Sequence, residues 1–405
     1  MDAAERRELI EELCSFEGRW AGTDAERRAA NRLAERLRSM GRKATIEPTY
    51  VHPEYSLVIA AHLVLALAGS LLALTLPPLG FVLLLIAATS LYLDQNTRLY
   101  LIRRLFFRRG SQNVISPGPN PSAPARLILS AHYDAAKTGL VFGPRWSAIQ
   151  RRLSDRARVL LGPLRVLFWG AIAPLLAISA ARLVGLEGQW LAIVQLIPTT
   201  LLLVALVLLI DIALSGVVPG AYDNASGVAA ALSVAKRLDA EPPRNLDIWV
   251  VLPGAEECLG EGMRSYARTH RDELDLDHTF LVNLDSVSFG HPRYQESEGM
   301  IVSYPMDRRL VELCDAITAA DGEGDARFEA RRIRHSQLTD ALPAQLAGLR
   351  SISILGAEDG FVLPPYYHAH ADTPDKLDED AMTRVVDFTV ELARQLDREA
   401  GRAVV

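Results

Sequence analysis

The chain has 405 residues and a formal net charge of −6, and it carries no basic stripe interleaved with aromatics, which excludes the usual pattern of a nucleic-acid binder. Hydrophobic residues make up 49% of it, and the mean hydropathy is slightly positive, which is high for a soluble enzyme. The cysteines, Cys14, Cys258 and Cys314, are odd in number and show no pairing pattern, which fits a reducing compartment.

In chain order, Met1 to Phe16 is charged and reads as an amphipathic helix rather than a signal peptide. Thr23-Asp24-Ala25-Glu26 has the form of a capping box, predicting a helix to about Met40 with Gly41 as its stop. Lys43 to Val51 has strand character. Leu57 to Leu93 is almost free of charge and is broken by Leu76-Pro77-Pro78-Leu79-Gly80. A second apolar region runs from about Val159 to Leu214, broken around Arg182 to Gln189. Each region is long enough for two passes of ~20 residues, predicting two transmembrane hairpins and four transmembrane helices.

Two passes return the chain to the side it left. One discontinuous domain can therefore assemble from residues 1–55, 94–140 and 216–405. The first hairpin occupies 56–93, and 141–215 holds a basic juxtamembrane segment and the second hairpin. Arg98, Arg103, Arg104, Arg108 and Arg109 follow the first hairpin, and Arg145, Arg151, Arg152, Arg156 and Arg158 precede the second. The opposite loops offer only Arg182. The positive-inside rule then predicts an integral multi-pass protein of the cytoplasmic (inner) membrane, with this domain in the cytoplasm and the lipid bilayer as a partner. His62 and Asp211 lie within or near passes, and near a helix end each reads as a group that reaches the interface or stays neutral.

Five short segments carry acidic and imidazole side chains: His132-Tyr133-Asp134, Asp223-Asn224-Ala225-Ser226-Gly227, Glu256-Glu257, Asp285 and Tyr367-His368. Ala125 to Ser130, Leu246 to Leu252 and Phe280 to Leu284 read as buried strands, and three of these segments begin where they end. The carboxyl ends of strands in an open α/β sheet are the expected place for a site. Two imidazoles with several carboxylates suit zinc without any thiolate. Four carboxylates in one pocket (Asp223, Glu256, Glu257 and Asp285) would repel without cations. Asp134, two residues after His132 on a strand, faces the same side and can accept the free ring N–H of His132.

The order and wording of these segments resemble the di-zinc exopeptidase family (metallopeptidase family 28, clan MH). That family includes bacterial double-zinc aminopeptidases, glutamate carboxypeptidase-like enzymes and glutaminyl cyclases. Gly22-Thr23 before the second helix is similar to its opening. The resemblance implies a three-layer α/β/α zinc-exopeptidase domain with a mixed central sheet, here interrupted by the two hairpins. It implies two Zn2+ ions: Asp223 bridging, His132 and Asp285 completing one, Glu257 and His368 the other. Glu256 corresponds to the general base, and Tyr367 to a tyrosine that stabilises the oxyanion, with Tyr366 also available. A cis bond between Asp223 and Asn224 is implied too. His370 competes with His368, and the spacing to Asp372-Thr373-Pro374-Asp375 selects His368. Tyr222 stands where the family often has an acid, and Thr339-Asp340-Ala341 where Ser-Asp-His is common; both bear on specificity. The expected activity is hydrolysis of a peptide substrate, most simply as an aminopeptidase. Rival readings are a glutaminyl cyclase-like acyltransferase, a catalytically inactive membrane scaffold, and a transporter with a fused domain. The sequence carries no signal for oligomeric state.

Overall fold

The structure, a computed structural model, describes residues 1–96, 98–143, 145, 157, 160–322, 327–334, 337–358 and 366–402. Arg151, Arg152, Arg156 and Arg158 lie outside the described residues.

Two helices open the chain. Helix α1 (Ala3–Cys14) starts with a reciprocal cap in which Asp2 accepts from the Glu5 amide and Glu5 from the Asp2 amide. Helix α2 (Asp24–Ser39) is capped by the Thr23 hydroxyl, 3.2 Å from the Glu26 amide. The expected reciprocal half is missing, because Glu26 is buried and bonds to Gly22, Ser111 and Ala255 instead. Gly41, at φ 84°, ends this unit in the left-handed region.

The centre is a mixed sheet. Its strands are β1 (Thr45–Val51), β2 (Arg109–Ser116), β3 (Ala125–Ser130), β4 (Leu246–Leu252), β5 (Thr279–Asp285), β6 (His291–Glu298), β7 (Tyr304–Pro305), β8 (Arg331–Arg334) and β9 (Arg350–Ala357). Their order is β1-β2-β4-β3-β5-β9-β6-β7, with β8 beside β6. The central run β4-β3-β5-β9 is parallel, and the flanking pairs are antiparallel except β6 with β8, which is parallel.

Parallel strands are covered on both faces and read as apolar runs. Alternation within them assigns the faces. Leu127 and Leu129, Ile248 and Val250, and Phe280 and Val282 join one core, shared with α1, α2, α7 (Ser226–Ala240), α9 (Arg308–Asp321) and α11 (Glu379–Arg402). Ile128, Val251 and Leu281 face a smaller cluster with α8 (Glu261–Thr269) and Ala344 of α10 (Ala341–Leu346). Three layers result, helices against both faces of the sheet.

Four helices are long and apolar enough to cross a membrane: α3 (Tyr55–Leu72), α4 (Pro77–Gln95), α5 (Pro163–Leu183) and α6 (Gln189–Leu214). Pro77 and Pro78 open α4, where a missing amide costs nothing. Gly80 permits the tight return, since a Cβ there would sit 2.4 Å from the Ala73 nitrogen. The four helices pack on one another through Ile59, Leu63, Leu84, Leu91, Ile172 and Leu202. Gln195 of α6 donates to the Ser70 carbonyl and hydroxyl of α3. His62 has both ring nitrogens partnered, by the Val58 carbonyl and the Ser90 hydroxyl.

The joint between bundle and sheet departs from the surface reading of the arginines. Arg103 is fully buried and bonds to Asp94 at the end of α4, to Glu261 at the start of α8 and to the Cys258 carbonyl. It therefore does not belong with exposed Arg98, Arg104, Arg108 and Arg109.

Candidate metal centre

The strand ends bring the acidic and imidazole residues together. His132 follows β3, Glu256-Glu257 follow β4, and Asp285 ends β5. Asp223 arrives on the turn before α7. That helix packs closely on β5, since a Cβ on Gly227 would lie 2.3 Å from the Leu284 carbonyl oxygen. The peptide bond between Asp223 and Asn224 is cis. Asn224 ties this turn to β5 by donating to the Leu284 carbonyl and accepting from the Ser286 and Gly227 amides.

Asp223 is central. One carboxylate oxygen is 3.2 Å from Nε2 of His132, and the other is 3.0 Å from Nε2 of His368. His132 Nε2 is also 3.9 Å from Asp285 and 3.8 Å from Glu256, while His368 Nε2 is 3.6 Å from Glu257. One ligand atom each from His132, Asp223 and Glu257 falls within 4.8 Å of the others. Tetrahedral zinc with bonds of ~2.0 Å needs donor atoms about 3.3 Å apart. The Asp223–histidine separations match that edge. Buried Glu257 Oε1 has no hydrogen-bond partner among the described residues, as an atom awaiting a cation would. The donor set therefore fits zinc, and each oxygen of Asp223 faces a different half of it.

The electrostatics agree. Burial pushes Asp285 up to about 6, with the Asp223 charge adding to it. Glu257 lies well above the carboxylate range, first through burial and then through Asp223. Glu256 is also raised by burial; His132 opposes this, while Glu257 and Asp340 add to it. Burial works against the Asp223 charge, yet hydrogen bonds from His132 and His368 outweigh it and hold Asp223 low. So many crowded acids need positive charge, which divalent ions supply.

Asp134 stands beside the partner expected and serves two more. It lies 3.4 Å from Nδ1 of His132, but its oxygens accept from the Glu256 and Glu257 amides, each at 3.1 Å. It thus fixes the loop that carries both glutamates. His370 is exposed beside Gly216, away from the cluster. Tyr367 stacks on the His368 ring at 3.9 Å between centroids and lines the cavity. Tyr366 instead points its hydroxyl to the Lys376 carbonyl, at 3.3 Å.

Several residues outside the expected ligand set position the site. Buried Asp372 accepts from the Tyr222 and Asp223 amides at 2.7 and 3.2 Å, and burial lifts it to about 7. Buried Arg19 donates to the carbonyls of Tyr133 and Gly220, joining the His132 and Asp223 segments. Asp340 is buried with no hydrogen-bond partner on either oxygen among the described residues. Non-glycine residues with positive φ gather here as well: Ala255, Leu259, Ser286 and His368. Such backbone persists where its surroundings over-determine it, as at functional sites.

The model of peptidase family M28 matches residues 210–393. That segment holds Asp223, Glu256, Glu257, Asp285 and His368, and His132 lies before it. No curated protein matches the chain. Among solved structures, a glutaminyl cyclase from Bacteroides thetaiotaomicron bound to N-acetylhistamine has TM-score 0.54 at 16% identity, covering 96% of this chain and 97% of its own. A leucine aminopeptidase precursor from the same organism has TM-score 0.53 at 17% identity, covering 96% of each chain. A zinc aminopeptidase from Bacillus subtilis has TM-score 0.55 at 13% identity, covering 97% of this chain and 95% of its own. At these identities the likeness establishes a shared fold, a mixed α/β fold found in zinc aminopeptidases and glutaminyl cyclases.

Proposed function

We propose that the chain is a membrane-anchored, zinc-dependent exopeptidase, acting as an aminopeptidase. The observation that carries this reading is Asp223, whose two oxygens face His132 and His368, with Glu256 beside them 3.8 Å from His132. Zinc ions held by His132, Asp223, Asp285, Glu257 and His368 would activate water and polarise the scissile carbonyl. Glu256 takes a proton from the attacking water and passes it to the leaving amine. Tyr367 offers a hydroxyl to the developing oxyanion. Asp134 and Asp372 hold the backbone of the glutamate loop and of Asp223 in register. The cavity, about 180 Å³, is smaller than the ~300–1,000 Å³ of drug-sized pockets and suits one terminal residue.

The likeness to glutaminyl cyclases supports a second reading, acyl transfer within N-terminal glutamine. Donors for both halves of the centre favour hydrolysis. The test is metal analysis of purified protein alongside a scan of aminoacyl anilides, peptides and N-terminal glutamine peptides. Cyclisation without hydrolysis overturns the exopeptidase assignment.

Anchoring rests on α3 to α6, and the cytoplasmic side rests on the arginines near their ends. Asp375 is exposed, so the side can be probed there. Asp375→Cys in intact cells should resist an impermeant thiol reagent. Labelling from outside reverses the orientation.

A further inference from the structure

The cavity beside the metal cluster draws part of its wall from the insertions. Tyr55, Phe142 and Leu164 line it together with Leu259, Met300 and Leu338. Tyr55 is the first residue of α3, and Leu164 is the second of α5. Both stand at helix ends, where a span meets the surface of a bilayer.

These walls are fixed from the helical side. The Asp211 carboxylate, near the end of α6, accepts from the Leu140 amide at 2.6 Å. Lys137 reaches the Ala213 carbonyl at 2.9 Å and Glu54 at 3.3 Å. Together these contacts hold the 137–142 segment so that Phe142 meets the His368 ring edge-on, 4.6 Å between centroids. Asp211 thus has a structural partner in the domain. On α5, Arg165 donates to the Gly299 carbonyl and Trp169 to the Ile301 carbonyl, at 2.9 and 3.0 Å. Met300 lies between these two anchors. Ile301 is buried among the membrane helices. Away from the metal donors the wall is mostly apolar, with Ser286, Gln337 and Thr339 as its polar members, and among the described residues no lysine or arginine lines the cavity. An acidic substrate side chain would lose its hydration there without gaining an opposite charge, and a basic one would meet carboxylates that the exopeptidase reading commits to zinc.

We infer that the two apolar insertions build the subsite for the substrate's terminal side chain, and that it takes a large apolar residue presented at the level of the bilayer surface. This rests on the exopeptidase reading and names its substrate class. The hairpins are then specificity elements as well as anchors. Leu164 is the residue that sets the depth of the subsite, because it belongs to the membrane helix, lines the cavity and is not itself a metal donor.

The test uses the zinc-loaded full chain in lipid nanodiscs. Binding of L-leucinamide and L-alaninamide is measured by calorimetry, and hydrolysis of the leucyl and alanyl anilides in parallel. Wild type should favour leucinamide by roughly 10–100-fold, the range that apolar pockets give for extra methylenes. Leu164→Ala should shrink that preference to a few-fold through weaker leucinamide binding. Leu164→Trp should fill the subsite and cost leucinamide about tenfold or more, with a smaller loss for alaninamide. Zinc content and thermal midpoint verify that both variants are folded. No leucine preference in wild type, no binding of either amide, or an unchanged ratio in both folded variants overturns the inference. Selective binding without hydrolysis of any peptide or anilide would instead refute the exopeptidase reading and leave the subsite standing.

Discussion

Strand β3 and helix α6 are both apolar runs, and their surroundings are opposite. In β3 every residue but Arg126 is buried, between parallel neighbours and under helices on both faces. Helix α6 leaves Leu196 64% and Ile197 73% exposed, with Ile193 and Val207 also open. Its 26 residues span about 39 Å, enough to cross ~30 Å of hydrocarbon with tilt. The strand's apolar faces are satisfied by protein. The exposed side of the helix has no protein partner among the described residues, as a lipid-facing surface would. The candidate metal centre lies where the two environments meet, with its acidic and imidazole residues from the sheet side and part of its cavity wall from the helices.

The largest expected effects lie on the sheet side. Asp223→Ala removes the carboxylate shared by both histidines, so zinc binding and turnover should both be lost; retained zinc in the variant, measured by mass spectrometry, would contradict the shared role. Glu256→Gln keeps size but removes the base. Turnover should fall roughly 10²–10⁴-fold with zinc content unchanged. Turnover near that of wild type removes Glu256 from proton transfer.

Next comes the joint between the two environments. Arg103→Met leaves Asp94 and Glu261 buried without their cation, and breaking such a network costs about 3–5 kcal/mol. The thermal midpoint in nanodiscs should drop clearly, whereas Arg104→Met, at an exposed position, should change it little. Equal midpoints for the two variants would mean that bundle and sheet are not bolted together through Arg103.

A smaller effect depends on pH. Burial, with the Asp134 charge adding to it, pushes Glu26 up to about 8 from 4.5. The folded state then binds a proton that the unfolded chain has already released. Its contribution to stability is complete below about pH 4.5 and is lost as pH rises toward 8. Thermal midpoints between pH 5 and 9 should therefore fall less steeply in Glu26→Gln than in wild type. Parallel curves would exclude Glu26 as the titrating group.

Periodicity and length made much of this legible in the sequence. Ala125 to Ser130 and Leu246 to Leu252 are strands within the bounds their apolar runs suggest, and the proline-broken region forms α3 and α4. Ligand-type residues were visible because each follows such a run. Their supports were not. Glu26 has the spacing of a capping box, yet burial redirects it to Gly22, Ser111 and Ala255. Arg103 sits in an arginine-rich stretch and looks solvated, but Asp94 and Glu261 meet it only in three dimensions. Asp134 lies beyond the end of β3, so strand alternation does not reach it, and its oxygens accept from backbone amides that no side-chain pattern reveals. Phe142, in a short turn ahead of the apolar helices α5 and α6, has no local signal at all.

The zinc content of the purified full-length chain, titrated to saturation in nanodiscs, tests the central claim most directly. Two zinc ions per chain, both released by Asp223→Ala, is the predicted result. Saturation at a single zinc, or undiminished binding in that variant, would contradict it.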